Sequence, residues 1–392
     1  MRPIHPFPAR MAPETISEML SRLPVGARIL DPMCGSGVVL RQAACLGHNA
    51  VGIDVDPLAV LMSRVWTRQV DSSAIAEATA EVISLAKRSR LTPTGLPHIG
   101  ACQETRNFIN YWFAEKQRNQ LARLIGVISR GLYTREQMDI LLLALSRTIV
   151  TKHVGASLAW DVSHSRPHRM RTVNDYDVYA GFDGSVRAIL TRMNDPLKGS
   201  VNVNQGDCRD LAAICPGKFD AVITSPPYLN AIDYLRGHKL SLVWMGYTVP
   251  MLRSIRSGSI GTEKSGSTKH RRVPDYPGLE NIVSQIEELP IRQKSIVNKY
   301  AYDSEAMLKV MRNALEPGGS LVLVLADSVV RGVDVPSSRI FSEIARRCGF
   351  RPVGKEVREI PAAKRYLPIA GEKGSLAKRM RYESVETFIA VS

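Results

Sequence analysis

The sequence lacks the features that mark membrane proteins, secreted proteins and small zinc-binding modules. Six cysteines are scattered over 392 residues and no two form a CxxC pair, which argues against a zinc ribbon or a thioredoxin-type dithiol. Scattered cysteines in a long chain are typical of free thiols in a reducing compartment. The longest apolar run, Leu321 to Ala326, is far shorter than the roughly 20 residues of a membrane span. Met1 to Met11 holds three prolines and no apolar core, unlike a signal peptide. We therefore expect a cytoplasmic protein with no membrane association.

Charge is the compositional feature that points most directly to a partner. The chain carries 52 Lys and Arg against 37 Asp and Glu, a formal net charge of +15, and its isoelectric point is about 9.7. A value above about 9 favours a polyanionic partner, usually a nucleic acid. Charge that serves only solubility is the alternative. Hydrophobic residues at 44% are ordinary for a globular protein and exclude a wholly disordered or fibrous chain.

The first strong pattern is a strand–turn–helix–strand unit near the N-terminus. Ala27 to Asp31 is predicted as a short buried strand, and Gly35-Ser36-Gly37 as a tight turn. Val38 to Leu46 is predicted as a helix and Ala50 to Asp54 as a second strand that ends in an acid. This order is typical of the opening of a doubly wound parallel sheet.

Two nucleotide-binding motifs are absent from this unit. The dinucleotide fingerprint GxGxxG needs a third glycine where Leu40 stands, and the Gly-Lys-Ser/Thr of a phosphate-binding loop does not follow the turn. The turn therefore favours a nucleotide-like ligand held without a phosphate cradle. Asp54 stands where an acid at the end of the second strand can bind two ribose hydroxyls.

The α/β pattern is interrupted by a helical block and resumes near Val201. Helical spacing is predicted over Asp71 to Arg90, Gln117 to Leu132 and Gln137 to Val150. Met251 to Arg272 is rich in Gly, Ser and basic residues and is predicted as a mobile loop. The further predicted elements are strands at Val201 to Val203, Phe219 to Thr224, Ser320 to Ala326 and Tyr382 to Val391, and a helix at Ser337 to Cys348.

Several of these segments together resemble one enzyme family. Asp31 to Gly37 (DPMCGSG) is similar to the first cofactor motif of amino-group DNA methyltransferases, and Ser225 to Tyr228 (SPPY) to their catalytic motif. Gly206 to Cys208, Glu316 to Gly319 and His5 to Arg10 resemble further motifs of that family. The resemblance implies an α/β class I methyltransferase fold, Rossmann-like and doubly wound, with a mostly parallel seven-stranded sheet and a helical insertion. It covers residues 1–56 and 201–392 in outline and is weak over 68–200 and 250–300.

The resemblance also implies how the chain is divided. Residues 1–67, 201–250 and 301–392 are expected to form the catalytic domain. Residues 68–200 are expected to be a helical insertion, and residues 251–300 a basic loop insertion. Both insertions are candidates for reading or contacting DNA.

The implied cofactor is S-adenosylmethionine, with no metal. The residues implied to bind it are Phe7, Asp31, Met33, Cys34, Gly35, Ser36, Gly37, Asp54, Val55, Asp207 and Cys208. The residues implied to be catalytic are Ser225, Pro226, Pro227 and Tyr228. The Ser225 side chain and the Pro226 carbonyl would accept hydrogen bonds from an exocyclic amino group, so that its lone pair points at the methyl group. Positioning then supplies most of the acceleration. Tyr228 would stack on a base flipped out of double-stranded DNA.

The motif residues favour one reaction class. Carbon-5 cytosine methylation uses a cysteine in a Pro-Cys dipeptide, which this chain lacks. Within the resembled family, Ser at the first catalytic position is usual for cytosine N4 and Asp or Asn for adenine N6, so Ser225 favours cytosine N4. The alternatives are an adenine-N6 enzyme, a tRNA guanine-N2 enzyme and an inactive DNA-binding module of the same fold.

Two basic segments are candidate DNA contacts, or otherwise solvated basic faces. The named residues are Arg166, Arg169, Arg171, Arg253, Arg256, Lys269, Arg271 and Arg272. The sequence leaves open the recognition site, the oligomeric state and whether a cognate restriction or defence partner exists.

Overall fold

Helices and strands alternate at both ends of the chain, and helices dominate its middle. The computed structural model describes residues 2–7, 11, 13–131, 133–160, 162, 167–229, 234–261, 273–360 and 382–391. The strands are β1 (Arg28–Asp31), β2 (Asn49–Asp54), β3 (Ala159–Trp160), β4 (His168–Arg169), β5 (Val201–Gln205), β6 (Phe219–Thr224), β7 (Leu315–Leu325), β8 (Ser328–Val330), β9 (Val333–Val335), β10 (Phe350–Glu359) and β11 (Tyr382–Ala390). The helices are α1 (Pro13–Ser21), α2 (Val38–Cys45), α3 (Pro57–Trp66), α4 (Ser72–Arg88), α5 (Pro97–Gly100), α6 (Gln103–Trp112), α7 (Glu115–Ile128), α8 (Arg135–Ile149), α9 (Val178–Leu190), α10 (Leu211–Ile214), α11 (Tyr234–Leu242), α12 (Val249–Gly258), α13 (Ile291–Ala314) and α14 (Ser337–Arg347).

The chain divides into two compact units, each built from separate segments. Unit 1 comprises Met1–Pro8, Asp56–Leu197 and Asp233–Ile255, and unit 2 comprises Ala9–Val55, Lys198–Ile232 and Arg256–Ser392. This division differs from the expected one, in which the insertion covers residues 68–200. The helical unit already begins at Asp56 because α3 is buried at every position except Arg64, so it serves as a core helix of unit 1.

The sheet of unit 2 has seven strands in the order β10-β11-β7-β6-β1-β2-β5. The neighbours β7, β6, β1, β2 and β5 pair in parallel, whereas β11 is antiparallel to both β7 and β10. The mostly parallel seven-stranded sheet expected from the resemblance is therefore confirmed. Because parallel strands end at the same edge, the residues that follow β1, β2, β5 and β6 meet along one edge of the sheet.

The core of unit 2 explains why its strands are apolar. Leu30 and Phe219 are fully buried, as are Leu321 and Phe341, and Phe388 is 1% exposed. These side chains belong to one hydrophobic cluster to which α13 and α14 also contribute. The buried stretches of β6 (Ala221 to Thr224) and β7 (Leu321 to Leu325) read as mainly apolar runs, which is why the sequence predicts these stretches, whereas the edge strand β5 has no buried residue.

Unit 1 is mainly helical, and its helices are held by caps and a buried ion pair. Asp56 caps α3 by accepting a hydrogen bond from the Leu58 amide at 2.9 Å. The Arg64 guanidinium donates two hydrogen bonds to Asp139 of α8, at 2.7 and 2.9 Å. Two hydrogen bonds to a carboxylate that is 6% exposed fix α3 against α8. Among the described residues, no helix is long and apolar enough to cross a membrane.

Three local expectations need correction. The loop predicted from Met251 is wrong up to residue 258, because α12 covers Val249–Gly258 and buries Val249 and Leu252. Residues 262–272 of that loop lie outside the described residues. The turn Glu316 to Gly319 does not precede β7 but lies within it: Phe219 pairs with Leu315 and Ala221 with Ser320, so β7 advances five positions where β6 advances two. Finally, α7 and α8 each begin two residues earlier than predicted, at Glu115 and Arg135.

Candidate active site

The glycine turn after β1 is fixed by hydrogen bonds to the end of β2. Gly35 and Gly37 have φ angles of +50° and +83°, a region that side chains rarely adopt. The Gly35 amide donates to the Asp54 carboxylate at 2.8 Å, and the Cys34 amide donates to the Ile53 carbonyl at 2.9 Å. Asp54 therefore orders the turn as well as ending the strand. Met33 is half-buried and Ser36 is buried.

Asp31 is a buried carboxylate that connects this turn to the strand before the SPPY segment. It is 1% exposed and accepts hydrogen bonds from the Thr224 hydroxyl at 2.8 Å and the Met33 amide at 3.3 Å. Burial raises the pKa of Asp31 from 3.8 to about 7, although the bond from Thr224 works in the opposite direction. Thr224 is the last residue of β6, so Ser225 follows it directly.

The third acid, Asp207, lies after β5 and is engaged by an arginine. The Gly206 amide donates to the Asp54 carbonyl at 3.0 Å, which joins the ends of β2 and β5. Arg209 forms ion pairs with Asp207 and with Asp303, the latter at 2.9 Å. Partial burial by itself raises the pKa of Asp207, but the hydrogen bonds and charge of Arg209 outweigh it and leave that pKa below its ordinary value. Asp207 is thus held as a carboxylate.

Neither cysteine of this region has the environment of a nucleophile. Cys208 is 5% exposed, and burial raises the pKa of its thiol to about 12. Cys34 is also 5% exposed and packs against Gly52 of β2. Because the thiolate is the reactive form, Cys208 is inert at neutral pH.

The SPPY segment is held by two hydroxyl groups. The Ser225 hydroxyl donates to the Val324 carbonyl of β7 at 3.0 Å and lies 3.2 Å from the Tyr228 hydroxyl. The Tyr300 hydroxyl of α13 donates to the Pro227 carbonyl at 3.0 Å. Side chains from two other elements of unit 2 therefore fix the loop.

Tyr228 differs from the expectation that its ring offers an open stacking face. It is 9% exposed, and burial raises the pKa of its phenol to about 12, so the hydroxyl stays protonated. In this structure the ring packs inside the protein, so the expected open face is not present. Pro226 is buried as well, and Pro227 is half-buried.

The structure brings most of the predicted site residues together at one edge of the unit 2 sheet. Hydrogen bonds join Asp31 to Thr224, Gly35 to Asp54, and Gly206 to Asp54. Val55, half-buried, follows directly after β2. Among the described residues, no group of three or more His, Cys, Asp or Glu is placed to hold a metal ion.

The sequence interpretation did not identify two residues that shape this edge. Thr224 directly precedes the SPPY segment, so its position in the sequence could have identified it as a site residue. Tyr300 lies 73 residues after Pro227, and a tyrosine inside a long helix carries no signal of a contact with a distant backbone carbonyl.

Phe7, the remaining predicted cofactor residue, lies in unit 1. Its ring stacks on Tyr234, with centroids 5.0 Å apart and an interplanar angle of 11°. His238 lies beside it at 5.7 Å, and its Nδ1 is 2.6 Å from the Asp56 carboxylate. His238 is 3% exposed, so in unit 1 it belongs to a buried aromatic and ionic cluster rather than to the surface.

Four of the predicted DNA-binding arginines are described. Arg169 lies over the Tyr111 ring at 4.7 Å and Arg171 over the Trp160 ring at 5.3 Å. Arg253 forms an ion pair with Glu104 within unit 1, and Arg256 lies half-buried in the last turn of α12. The other predicted contacts fall outside the described residues: Arg166, Lys269, Arg271 and Arg272.

Comparison with known proteins gives relatives of one kind. No family model matches the chain. The type II methyltransferase M.BsoBI of Geobacillus stearothermophilus is 24% identical over 84% of this chain and 74% of its own length. The type II methyltransferase M.MvaI of Kocuria varians is 21% identical over 91% of this chain and 83% of its own length. The chain is thus similar to these enzymes over most of its length.

Solved structures give a weaker comparison. A SAM-dependent methyltransferase of Methanosarcina mazei aligns with 95% of this chain and 97% of its own, at 9% identity and a TM-score of 0.34. The fold assignment therefore rests on the sheet order rather than on this superposition.

Proposed function

We propose that this homologue of the type II DNA methyltransferases transfers the methyl group of S-adenosylmethionine to the exocyclic N4 of cytosine in DNA. The observation that carries the proposal is the Asp31–Thr224 hydrogen bond, 2.8 Å long, between the glycine turn and the residue before Ser225. It couples the candidate cofactor turn to the candidate catalytic loop. The relatives support DNA methylation dependent on S-adenosylmethionine, and Ser225 supports N4 through its resemblance to cytosine-N4 enzymes.

The residues at this edge fit such a cofactor. Asp54 and Asp207 follow adjacent parallel strands, where carboxylates accept hydrogen bonds from ribose hydroxyls and from adenine. The turn before α2 presents backbone rather than side chains to a ligand. When bound, S-adenosylmethionine supplies an electrophilic methyl group on a positively charged sulfur, and the buried Asp31 can compensate that charge.

Ser225 is arranged to accept a hydrogen bond from an amino group. A serine hydroxyl has one proton and two lone pairs. The proton is directed at the Val324 carbonyl, so in the 3.2 Å contact with Tyr228 the phenol is the donor. One lone pair of Ser225 then remains for an amino N–H of the base. Together with the Pro226 carbonyl it would turn the nitrogen lone pair out of conjugation with the ring.

The reaction needs no covalent enzyme intermediate. The amino nitrogen forms the new N–C bond while the C–S bond breaks and its electron pair stays on sulfur. The nitrogen then loses one proton to solvent, so charge and atoms balance. The inert Cys208 and the absence of a Pro-Cys dipeptide agree with this route. Tyr300 holds the loop in place during transfer through its bond to Pro227.

The experiment that tests the proposal is nucleoside mass spectrometry. DNA and RNA are digested from a methylation-free host that expresses the chain, with Ser225→Ala as the control and circular dichroism to show that the variant folds. We expect N4-methylcytosine in DNA from the wild type alone. N6-methyladenine would overturn the assignment of the base, and a methylated base in RNA alone would overturn DNA as the substrate.

A further inference from the structure

A small hairpin in unit 1 carries exposed aromatic and basic side chains that the proposed chemistry does not use. Strands β3 and β4 pair antiparallel, with Trp160 opposite His168. Trp160 is 42% exposed and Met170 is 66% exposed, and Tyr111 of the adjacent helix α6 is 51% exposed. Large exposed aromatic side chains in a cluster mark a binding surface more often than isolated ones do. We call Tyr111, Trp160, Arg169, Arg171 and Met170 the hairpin surface.

The base of the hairpin is firmly anchored. Asn174 is 8% exposed and donates to the Gly155 and Ser157 carbonyls at 2.9 and 3.1 Å. Gln117 of α7 is fully buried and donates to the Asn174 and Tyr176 carbonyls at 2.9 and 2.8 Å. Buried side-chain amides that satisfy backbone carbonyls fix the position of a loop. The base of the hairpin is therefore fixed, and it holds the exposed rings of the outer face in place.

Each exposed ring is paired with an arginine. Arg169 lies over Tyr111 at 4.7 Å and Arg171 over Trp160 at 5.3 Å. With a guanidinium over their rings, Tyr111 and Trp160 as whole residues remain 51% and 42% exposed. Aromatic faces and guanidinium planes are the two kinds of surface on which unpaired bases stack. Arginine also neutralises phosphate, so the pairs supply both parts of a nucleic-acid site.

Charge and shape both favour a nucleic-acid strand as the occupant. The exposed His168 lies next to Arg169 on β4 and adds a further basic group to this face. An open groove of about 470 Å³ lies beside them, lined by Val154 and residues 170–176. Its single acid, Asp175, is a carboxylate of the kind that accepts from a cytosine amino group.

We propose that the hairpin surface binds a strand of the DNA substrate, with bases stacked on Tyr111 and Trp160 and phosphates on Arg169 and Arg171. The inference rests on the proposed function, because it takes DNA as the substrate. It adds the two aromatic residues and the groove to arginines that the sequence had already suggested.

The test is binding of a fluorescein-labelled random-sequence oligonucleotide, single-stranded and duplex, to the full-length protein without S-adenosylmethionine. We expect Tyr111→Ala and Trp160→Ala each to weaken single-strand binding about fivefold to tenfold, the lower part of the range for base stacking. Replacing Arg169 or Arg171 by Gln should reduce the salt dependence of log K by about 0.7 for each phosphate that is no longer neutralised. Matched exposed controls in unit 2, Tyr382→Ala and Arg346→Gln, should bind as the wild type does.

A second measurement follows the tryptophan fluorescence of the wild-type protein. Trp160 is the exposed tryptophan among four, since Trp112 is half-buried and both Trp66 and Trp244 are buried. Acrylamide quenches the fluorescence of exposed tryptophans, so Trp160 should account for the quenched part of the wild-type signal. We expect DNA to protect this part from quenching, and we expect Trp160→Phe to lack it. Unchanged affinity of the hairpin variants, or no protection of Trp160, would overturn the proposal and leave the surface to a protein partner.

Binding and turnover separate this inference from the proposed function. Weaker binding by the hairpin variants without any methylated base in wild-type samples would support the surface and refute the activity. Methylated DNA together with unchanged binding by the variants would refute the surface and support the activity.

Discussion

Replacing Asp31 by Asn should stabilise the protein while weakening cofactor binding. Asp31 is 1% exposed, and burial raises its pKa from 3.8 to about 7. Both of its hydrogen bonds, from Thr224 and from the Met33 amide, reach the same oxygen, Oδ1. An asparagine oxygen at that position can accept both. The substitution therefore removes the buried charge and keeps the hydrogen bonds.

The magnitude follows from the difference between the two pKa values of Asp31. Each tenfold change in an ionisation equilibrium corresponds to about 1.4 kcal/mol, so the ionised carboxylate costs the folded state about 4 kcal/mol. Below about pH 4 both states are protonated and the cost is absent. Between about pH 4 and pH 7 the unfolded chain has lost the proton that the folded protein retains, so wild-type stability falls as pH rises. Above about pH 7 both states are ionised and the cost is constant.

The assay is equilibrium urea unfolding of the wild type and Asp31→Asn across this pH range, without cofactor. Far-UV circular dichroism is the appropriate signal, because Asp31 lies in unit 2 while the tryptophans all lie in unit 1: Trp66, Trp112, Trp160 and Trp244. The stability gained by Asn should grow by up to about 4 kcal/mol between pH 4 and pH 7 and then level off. Calorimetry at pH 7.5 should show weaker binding of S-adenosylmethionine by the same, more stable variant.

An exposed carboxylate on the adjacent strand provides the control. Asp220 accepts a hydrogen bond from the Arg28 amide at 2.7 Å but is exposed to water. Asp220→Asn therefore makes the same replacement in the same sheet without removing a buried charge. A difference between Asp31→Asn and the wild type that stays constant from pH 4 to pH 7.5 would refute the reasoning. It would show that Asp31 ionises in the folded state as readily as in the unfolded chain.

Two further substitutions test how the loop and the turn are supported. Tyr300→Phe removes the hydrogen bond to the Pro227 carbonyl. We expect kcat to fall about fivefold, which corresponds to the loss of about 1 kcal/mol, while KM for S-adenosylmethionine stays unchanged. An equal change in kcat and KM would contradict a role in positioning the loop. Gly52→Ala places a Cβ 2.4 Å from Leu40 and 3.1 Å from Cys34. Thermal unfolding should therefore show that the free energy of unfolding falls by about 1–3 kcal/mol, and Leu40→Val should partly restore it. A single variant as stable as the wild type would show that the site has room for the Cβ.

The parts of the fold that the sequence predicts well are those set by local patterns. Strand β6 spans the predicted residues, Phe219–Thr224, because every residue except Asp220 is buried and Ala221 to Ile223 form an apolar run. The helix after the glycine turn begins at Val38 as predicted, since Gly37 at φ +83° leaves no alternative continuation of the strand. The glycine and SPPY motifs lie in such regions, which is why they were found.

The missed features depend on contacts between residues distant in sequence. Most of helix α12 was predicted as a loop because Met251 to Arg272 as a whole is rich in Gly, Ser and basic residues, but burial of Val249 and Leu252 outweighs that weak propensity. Tyr300 meets Pro227 although 73 positions separate them along the sequence. Unit 1 collects three separate segments, and the sequence carries no local pattern that assigns the segments before Ala9 and from Asp233 to Ile255 to the helical unit.

The position of Thr224 shows how the sheet order turns local motifs into a site. Strands β1 and β6 are neighbours and run in parallel, so their last residues, Asp31 and Thr224, meet at one edge. Their hydrogen bond ties the residue that begins the glycine turn to the residue that precedes Ser225. The distance between the glycine turn and the SPPY segment is thereby set by a strand pair. As a consequence of that coupling, the Asp31 carboxylate is buried and its ionisation destabilises the folded state. Neither motif alone indicates how large this destabilisation is, because the burial depends on the pairing of the two strands.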